Sequence, residues 1–190
     1  IAVIVGALVF AASLDGMLDS PARYGAPWDL QVQAGEGFET ARTLITDGDR
    51  VDAATLAGAG ELNISVNGSL PDQVSAIGVE SLKGSIEPVV LEGRAPAGPN
   101  EVLGGSALLD RLDLEVGDVL ELSGPGGEQT MTVVGRAIVP IVGSSLTDDG
   151  IVVALDAFRS LGGEDLVASI DAETVILTKL TDHTDVEGFR

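Results

Sequence analysis

An uncharged apolar run, Ile1 to Leu14, opens the chain, and beyond it the hydrophobic positions fall into short stretches of alternating or helical period. The run is shorter than the roughly 20 residues of a full membrane span. Because the sequence starts at Ile rather than Met, it reads as a fragment whose residues 1–19 are the end of a membrane helix. A signal-peptide core is the alternative, but Asp15-Gly16-Met17-Leu18-Asp19 offers no small-x-small cleavage site. Trp28 to Gln33 then alternates like a strand, and from Glu36-Gly37 onward Phe38, Ala41, Leu44 and Ile45 share one face of a helix that Asp47-Gly48-Asp49 ends. Between Val51 and Val79 the pattern predicts several short strands, among them Leu62 to Val66 and Val74 to Val79, broken by Asn67-Gly68 and Pro71.

Turn-formers crowd the next stretch: Glu87-Pro88, Gly93-Arg94-Ala95-Pro96 and Gly98-Pro99-Asn100. A boundary near Ile86 follows from them. Beyond it the spacing predicts a short helix burying Ala107, Leu108, Leu109 and Leu112. A hairpin comes next, Val119 to Ser123 and Gln129 to Val134 around Gly124-Pro125-Gly126-Gly127, with Leu120 and Leu122 on one face. Gly135 predicts a bulge before an apolar strand Ala137 to Val142. After a polar loop, Gly143 to Gly150, the β-α-β pattern returns: strand Ile151 to Ala154, a helix capped by Asp156 and stopped by Gly162-Gly163, and strand Thr174 to Thr178. Thr184-Asp185-Val186-Glu187 reads as a capping box opening a further helix. The expected fold is α+β in two lobes. An α/β lobe of β-α-β units comprises about 28–85 plus 151–190, and a β-rich lobe of about 86–150 is inserted into it.

Charge narrows the function classes. The 190 residues carry 30 acidic against 10 basic side chains, a formal net charge of -20, and no cysteine. Such acidity argues against nucleic acid, whose phosphates demand Lys and Arg, and against anionic lipid headgroups. It suits high-salt adaptation or plain solubility equally. Asp15 and Asp19, with no basic residue before Arg23, suit the non-cytoplasmic side of a membrane.

A search for catalytic chemistry returns little. His183 is the single histidine, set in a polar loop with no triad or zinc partners in sight. Gly143-Ser144-Ser145-Leu146-Thr147 lacks the closing glycine of a nucleophile elbow, and no phosphate-binding Gly-rich motif occurs. The acidic runs Asp47-Gly48-Asp49-Arg50-Val51-Asp52 and Thr147-Asp148-Asp149 invite a calcium reading. The first, however, lacks the glycine and glutamate of an EF-hand loop, so solvated turns are expected. A sugar cleft would need more aromatics than Trp28 and Tyr24. No cofactor and no metal is expected, and the chain is read as no enzyme.

Four motifs invite a family. Leu91-Glu92-Gly93-Arg94-Ala95-Pro96, Asn100-Glu101-Val102-Leu103-Gly104, Leu112-Asp113-Leu114-Glu115-Val116-Gly117-Asp118-Val119 and Thr132-Val133-Val134-Gly135 stand in the order and spacing of a known pattern. It is GR-x-P, E-V-x-L-G, a leucine-rich helix, L-x-V-G-D-x-V and a strand ending V-V-G, and it resembles the periplasmic core domain of FtsX-like, MacB-type ABC transporter permeases. Tyr24-Gly25-Ala26-Pro27-Trp28-Asp29 resembles the segment after the first membrane helix in actinobacterial members. The resemblance implies that residues 20–190 form an extracytoplasmic domain on a cell-membrane permease. A cytoplasmic ABC ATPase subunit and the remaining permease helices would be its partners, with a second permease copy or an extracytoplasmic cargo or partner protein as further ones. The signature residues Gly93, Arg94, Pro96, Glu101, Gly104, Val116, Gly117, Asp118 and Gly135 have a turn-forming explanation each, with Arg94 expected to pair with an acidic neighbour. From a different class, a membrane-anchored ligand-binding module without an ATPase is the competing reading. A secreted hydrolase is weaker still.

Overall fold

The computed structural model describes residues 27–86, 88–139, 148–163 and 174–181. The apolar run 1–14, His183, the capping box at 184–187 and the whole 140–147 stretch lie outside these residues. In chain order the elements are β1 (Leu30–Gln33), α1 (Phe38–Asp47), β2 (Val51–Ser65), β3 (Asp72–Lys83), β4 (Val89–Gly93), β5 (Glu101–Gly105), α2 (Ser106–Leu112), β6 (Val119–Gly124), β7 (Gly127–Ile138), β8 (Gly150–Ala154), a helix α3 over 155–163, and β9 (Val175–Leu180). The class is α+β, as expected.

All nine strands belong to one sheet, ordered β1-β9-β2-β3-β8-β5-β7-β4, with β6 bonded to both β2 and β7. That double pairing closes a ring. Going round it, β2 pairs with β3, β3 with β8, β8 with β5, β5 with β7, β7 with β6, and β6 returns to β2. The closing seam is short, three residue pairs: Asn63↔Ser123, Ile64↔Leu122 and Ser65↔Glu121. Because side chains alternate along a strand, one set points into the ring. Leu62 and Ile64, Val74 and Ala76, Val102, Leu120 and Leu122, Met131 and Val133, Ile151 and Val153 form one buried cluster drawn from all six strands. The sequence segments 28–85 and 151–190 supply β2, β3 and nearly all of β8, and 86–150 supplies β5, β6 and β7. The expected boundaries near Ile86 and Gly150 therefore mark where the chain passes from one arc of the ring to another, with hydrogen bonds continuous across them.

Two short helices close the ring's mouths. Helix α3 lies so near β3 that a Cβ on Gly78 would come within 2.6 Å of Phe158 Cδ1 and 3.0 Å of Leu155 Cδ1. At its far end the Leu161 carbonyl accepts a hydrogen bond from Gly126 N in the β6–β7 turn, 2.8 Å away. Helix α2 packs Leu109 against Gly104, where a Cβ would meet Leu109 Cδ2 at 2.5 Å. It is strapped across the other mouth by Arg111, which binds Asp72 at the start of β3 and Asp149 before β8, the latter at 2.8 Å. Beyond the ring, β2 belongs to an extension of the sheet, pairing with β9 over Val51–Ala57 while β9 pairs with β1.

Several local expectations shift. In α1 Leu44 is 68% exposed, and Ile45 with the half-buried Phe38 and Ala41 forms the inward stripe. Successive helical residues turn by about 100°, so Leu44 and Ile45 cannot both face the sheet squarely. In α2 Ala107 is exposed, and Leu114 beyond the helix takes the inward place. The short runs expected between Val51 and Val79 merge into two long strands, because Gly58 and Gly60 sit in an unbroken ladder opposite Gly78 and Ala76. Helix α3 begins at residue 155, which puts Asp156 inside its first turn rather than at its cap. The Asn67-Gly68 turn forms with φ of 51° and 74°, Leu120 and Leu122 are buried as predicted, and the bulge appears beside Gly135, where β5 register skips from Val133 to Gly135.

One core position works against stability. Thr178, 1% exposed, faces Leu30 and Ala54 across the strands, and its hydroxyl has no hydrogen-bond partner among the described residues. Burying an unsatisfied hydroxyl costs about 1–3 kcal/mol. Thr178→Val keeps the shape and removes the cost, so it is expected to raise Tm by a few degrees, about 2–4 °C per kcal/mol for a domain of this size. A melting temperature equal to or below wild type by differential scanning calorimetry would contradict this.

Candidate functional site

The signature residues gather around one strand. β7 pairs with β4 on one side and with β5 on the other over Gly93 and Leu103 to Gly105, and its earlier half pairs with β6. Gly93 lies directly opposite Gly135. Neither can carry a side chain where it sits: Gly93 has φ of 76° and a Cβ there would fall 2.3 Å from the Val134 carbonyl oxygen, while a Cβ on Gly135 would fall 2.6 Å from the Arg94 oxygen. The two backbones touch only because both residues are glycine.

From this contact the chain turns outward. Arg94 N donates to Val134 O at 3.0 Å, and the Arg94 side chain then doubles back onto Glu101 at the head of β5. Nη1 donates to Oε2 at 2.7 Å and Nη2 to Oε1 at 2.5 Å, a bidentate pair in which planar guanidinium matches planar carboxylate. Glu101 Oε2 also accepts from Ala97 N at 2.7 Å. The expected partner of Arg94 is thereby identified, and the pair staples the loop carrying Pro96 against β5. Three donors on one carboxylate, with the guanidinium hydrogen bonds the largest cause, hold Glu101 down from 4.5 to about 2.

The consequence for pH follows from that direction. A carboxyl whose folded pKa lies below its unfolded one stabilises the fold fully above the unfolded value and loses that contribution as pH falls. The stability difference between wild type and Glu101→Gln should therefore be constant above about pH 5 and shrink between 4.5 and 2. Urea titrations at stepped pH check it; a difference that stays flat down to pH 2 would rule out the pair as the cause.

The remaining signature turn is bound to the same strand. Gly117, at φ of 107°, donates from N to Val133 O at 2.8 Å, and Val133 N returns a bond to Asp118 O at 2.8 Å. Asp118 Oδ2 accepts from Glu115 N at 2.8 Å, which closes the turn. Val116 at its tip is 37% exposed. Gly104, on the inner side of β5, makes room for Leu109. All nine residues thus lie on β7 or on elements joined to it, and their polar atoms are spent on backbone and on one another.

Beside the staple lies a groove that the sequence pattern did not single out. Its walls are the loop Pro96-Ala97-Gly98-Pro99, the ends of β3 and β8 at Val79, Ser81 and Ala154, and Asp156 in the first turn of α3; it holds about 420 Å³. The residues are far apart in sequence and carry no shared motif; pairing of β3 with β8, and of β8 with the β5 that follows the loop, brings them together. Arg111 is a second omission: Asp72 and Asp149 are 39 and 38 residues away in the chain. Among the described residues no three His, Cys, Asp or Glu side chains are placed to hold a metal ion, and no helix is long and apolar enough to cross a membrane.

No family model matches this chain, and no curated protein does. Solved structures share its fold. It aligns with the periplasmic region of MacB from Actinobacillus actinomycetemcomitans at a TM-score of 0.60 and 10% identity, over 88% of this chain and 81% of that one. With the extracellular domain of the noncanonic ABC-type transporter YknZ from Gram-positive bacteria the score is 0.53 and the identity 11%, over 84% and 88%. A domain assigned to a permease protein of Porphyromonas gingivalis gives 0.54 and 12%, over 77% and 69%. The fold is that of the extracytoplasmic domains of ABC-type permeases. It is the MacB-type periplasmic fold that the sequence motifs resembled.

Proposed function

We propose that this chain is the extracytoplasmic domain of an ABC transporter permease, without catalytic chemistry of its own, which passes ATP-driven motion from a cytoplasmic ATPase subunit to substrate or partner handling outside the membrane. The observation that carries it is where the flanking segments leave the fold. Asp29 N bonds Thr178 O at 2.9 Å, Leu180 N bonds Asp29 Oδ2 at 2.8 Å, and Thr181 N bonds Arg50 O at 3.0 Å. Residues 27 and 181 therefore lie side by side at one end of the sheet, as two connections to one membrane would require. The uncharged run Ile1 to Leu14 supplies the character of one such connection. On this reading residues 1–19 belong to a membrane helix and the signature residues other than Val116 are structural, Gly93, Arg94, Glu101, Gly117, Asp118 and Gly135 fastening β7 and its neighbours to one another. The groove between loop 96–99 and α3 favours one second reading, a membrane-anchored ligand-binding module with no ATPase.

Topology tests the proposal. Cysteines placed at Asp72 and Asp148 in the full-length protein should react with a membrane-impermeant maleimide in intact cells. Modification only after lysis would refute the extracytoplasmic assignment. ATP-dependent change in the labelling rate at these positions separates the transporter reading from the anchored module, which predicts none.

A further inference from the structure

The end of the ring farthest from residues 27 and 181 carries the most exposed large hydrophobic side chain among the described residues. Leu70 is 90% exposed, in the turn joining β2 to β3. β2 runs 15 residues from the level of Thr181 to this turn, a span of about 45 Å at some 3.3 Å per residue. The turn is a shaped one. Asn67 and Gly68 adopt left-handed φ values, Ser69 N donates to Val66 O at 2.9 Å, and Val66 N donates to Ser69 Oγ at 3.1 Å. With Pro71 fixing its other side, Leu70 is presented on a backbone whose entropy is already lost.

The same end holds two further exposed apolar side chains. The pairing Ser65↔Glu121 sets the head of β6 alongside the turn, where Val119 is 53% exposed, and Val116 precedes it at 37%. Around them the exposed charges are acidic: Asp72, Glu115, Asp118 and Glu121. The basic residues that approach this end are already engaged, Arg111 by Asp72 and Asp149, Arg136 by Asp110 at 2.7 Å. Preorganised apolar knobs inside a one-sign charged rim are the anatomy of a protein-docking surface.

We infer that the end of the ring formed by Leu70, Val116 and Val119 docks an extracytoplasmic protein whose contact surface is an apolar socket rimmed by Lys and Arg. Charge complementarity selects this occupant. A second copy would set acidic rim against acidic rim, and an anionic membrane would be repelled likewise. The inference rests on the proposed extracytoplasmic placement, and it adds where contact is made and by what chemistry.

A photo-crosslinking amino acid at position 70 of the full-length protein, irradiated in living cells, identifies the neighbour; that protein, purified, is then titrated against the chain. The expected result is a Kd weakened at least about tenfold by Leu70→Asp, as for a buried apolar anchor. Leu44→Asp, which alters an exposed leucine on α1 elsewhere in the fold, should leave it unchanged. Affinity should also fall as NaCl rises from about 50 to about 500 mM, because the Debye length contracts across that range. At 90% exposure Leu70 contributes nothing to the core, so the variant keeps its fold and a lost contact reads as lost docking. Overturning results are no crosslink from position 70, a crosslink to lipid or to a second copy of this chain, equal effects of the two substitutions, or salt-independent binding. If Asp72 is labelled from outside while any of these is found, the docking surface falls and the permease reading stands.

Discussion

Phe158→Ala is expected to cost about 3–5 kcal/mol, the range for emptying a fully buried aromatic site, and so to lower Tm by about 6–20 °C. Phe158 has no exposed surface and stands in the cluster that fills the ring, held against β3 where Gly78 offers no side chain. The two positions are coupled by geometry, because a Cβ on Gly78 would fall 2.6 Å from Phe158 Cδ1 and 2.8 Å from its Cβ. Gly78→Ala alone should therefore destabilise by overpacking, about 1–3 kcal/mol. In the Phe158→Ala background the part of that cost due to the ring should vanish, while the 2.8 Å approach to the Cβ that alanine keeps should remain. A double-mutant cycle by urea denaturation measures this directly. Additive losses would mean that α3 does not press on Gly78, and the account of how the ring is closed would fail.

Much of this arrangement was legible in the sequence because it is local. Asn67-Gly68, Gly117-Asp118 and the Gly124 to Gly127 turn declare themselves through residues that tolerate left-handed or tight backbone, and alternation at Leu120 and Leu122 gave the buried face of β6. Trp28 to Gln33 and Thr174 to Thr178 were expected in one lobe; that they are direct neighbours, β1 against β9, is what the structure adds. What periodicity could not convey is closure. Nothing in Asn63-Ile64-Ser65 or in Glu121-Leu122-Ser123 says that they pair, and those three residue pairs decide between an open sheet and a ring. The exposed Leu44 and the buried Leu114 have the same origin: a stripe on a short helix can rotate by one residue, and the neighbouring strand chooses. For the candidate site, the staple was half visible, since an arginine beside a turn asks for a carboxylate, but seven acidic residues occur from Glu87 through Asp118 and sequence does not rank them. The groove was invisible, being assembled from three separate stretches of chain.

Gly93→Ala should be the costliest of the signature substitutions, because it combines two penalties that Gly135 and Gly117 carry singly. Its φ of 76° is a left-handed conformation that costs an L-residue about 1–2 kcal/mol. Its Cβ would also stand 2.3 Å from Val134 O and 2.8 Å from Gly135 Cα, both backbone atoms that no rotamer change can move aside. Gly135→Ala meets the steric part alone, with Arg94 O at 2.6 Å and Glu92 O at 2.8 Å. Gly117→Ala meets only the dihedral part, since at φ of 107° nothing lies within 4 Å. The expected order of destabilisation is Gly93→Ala first, at about 3 kcal/mol or more once strain and clash are summed, then Gly135→Ala, then Gly117→Ala. Because β4, among the described strands, is an edge strand held only to β7, the Gly93 variant should relieve its clash by letting β4 part from β7. Amide exchange would then quicken at Arg94, whose N–H bonds Val134 O, while Val133, bonded to Asp118 O, stays protected. The loop Pro96 to Pro99 would loosen with it, and the groove would lose a wall. Exchange that quickens equally at Arg94 and Val133 would show whole-domain unfolding instead, and a Gly93→Ala chain no less stable than Gly117→Ala would remove the glycine contact as the reason for the motif.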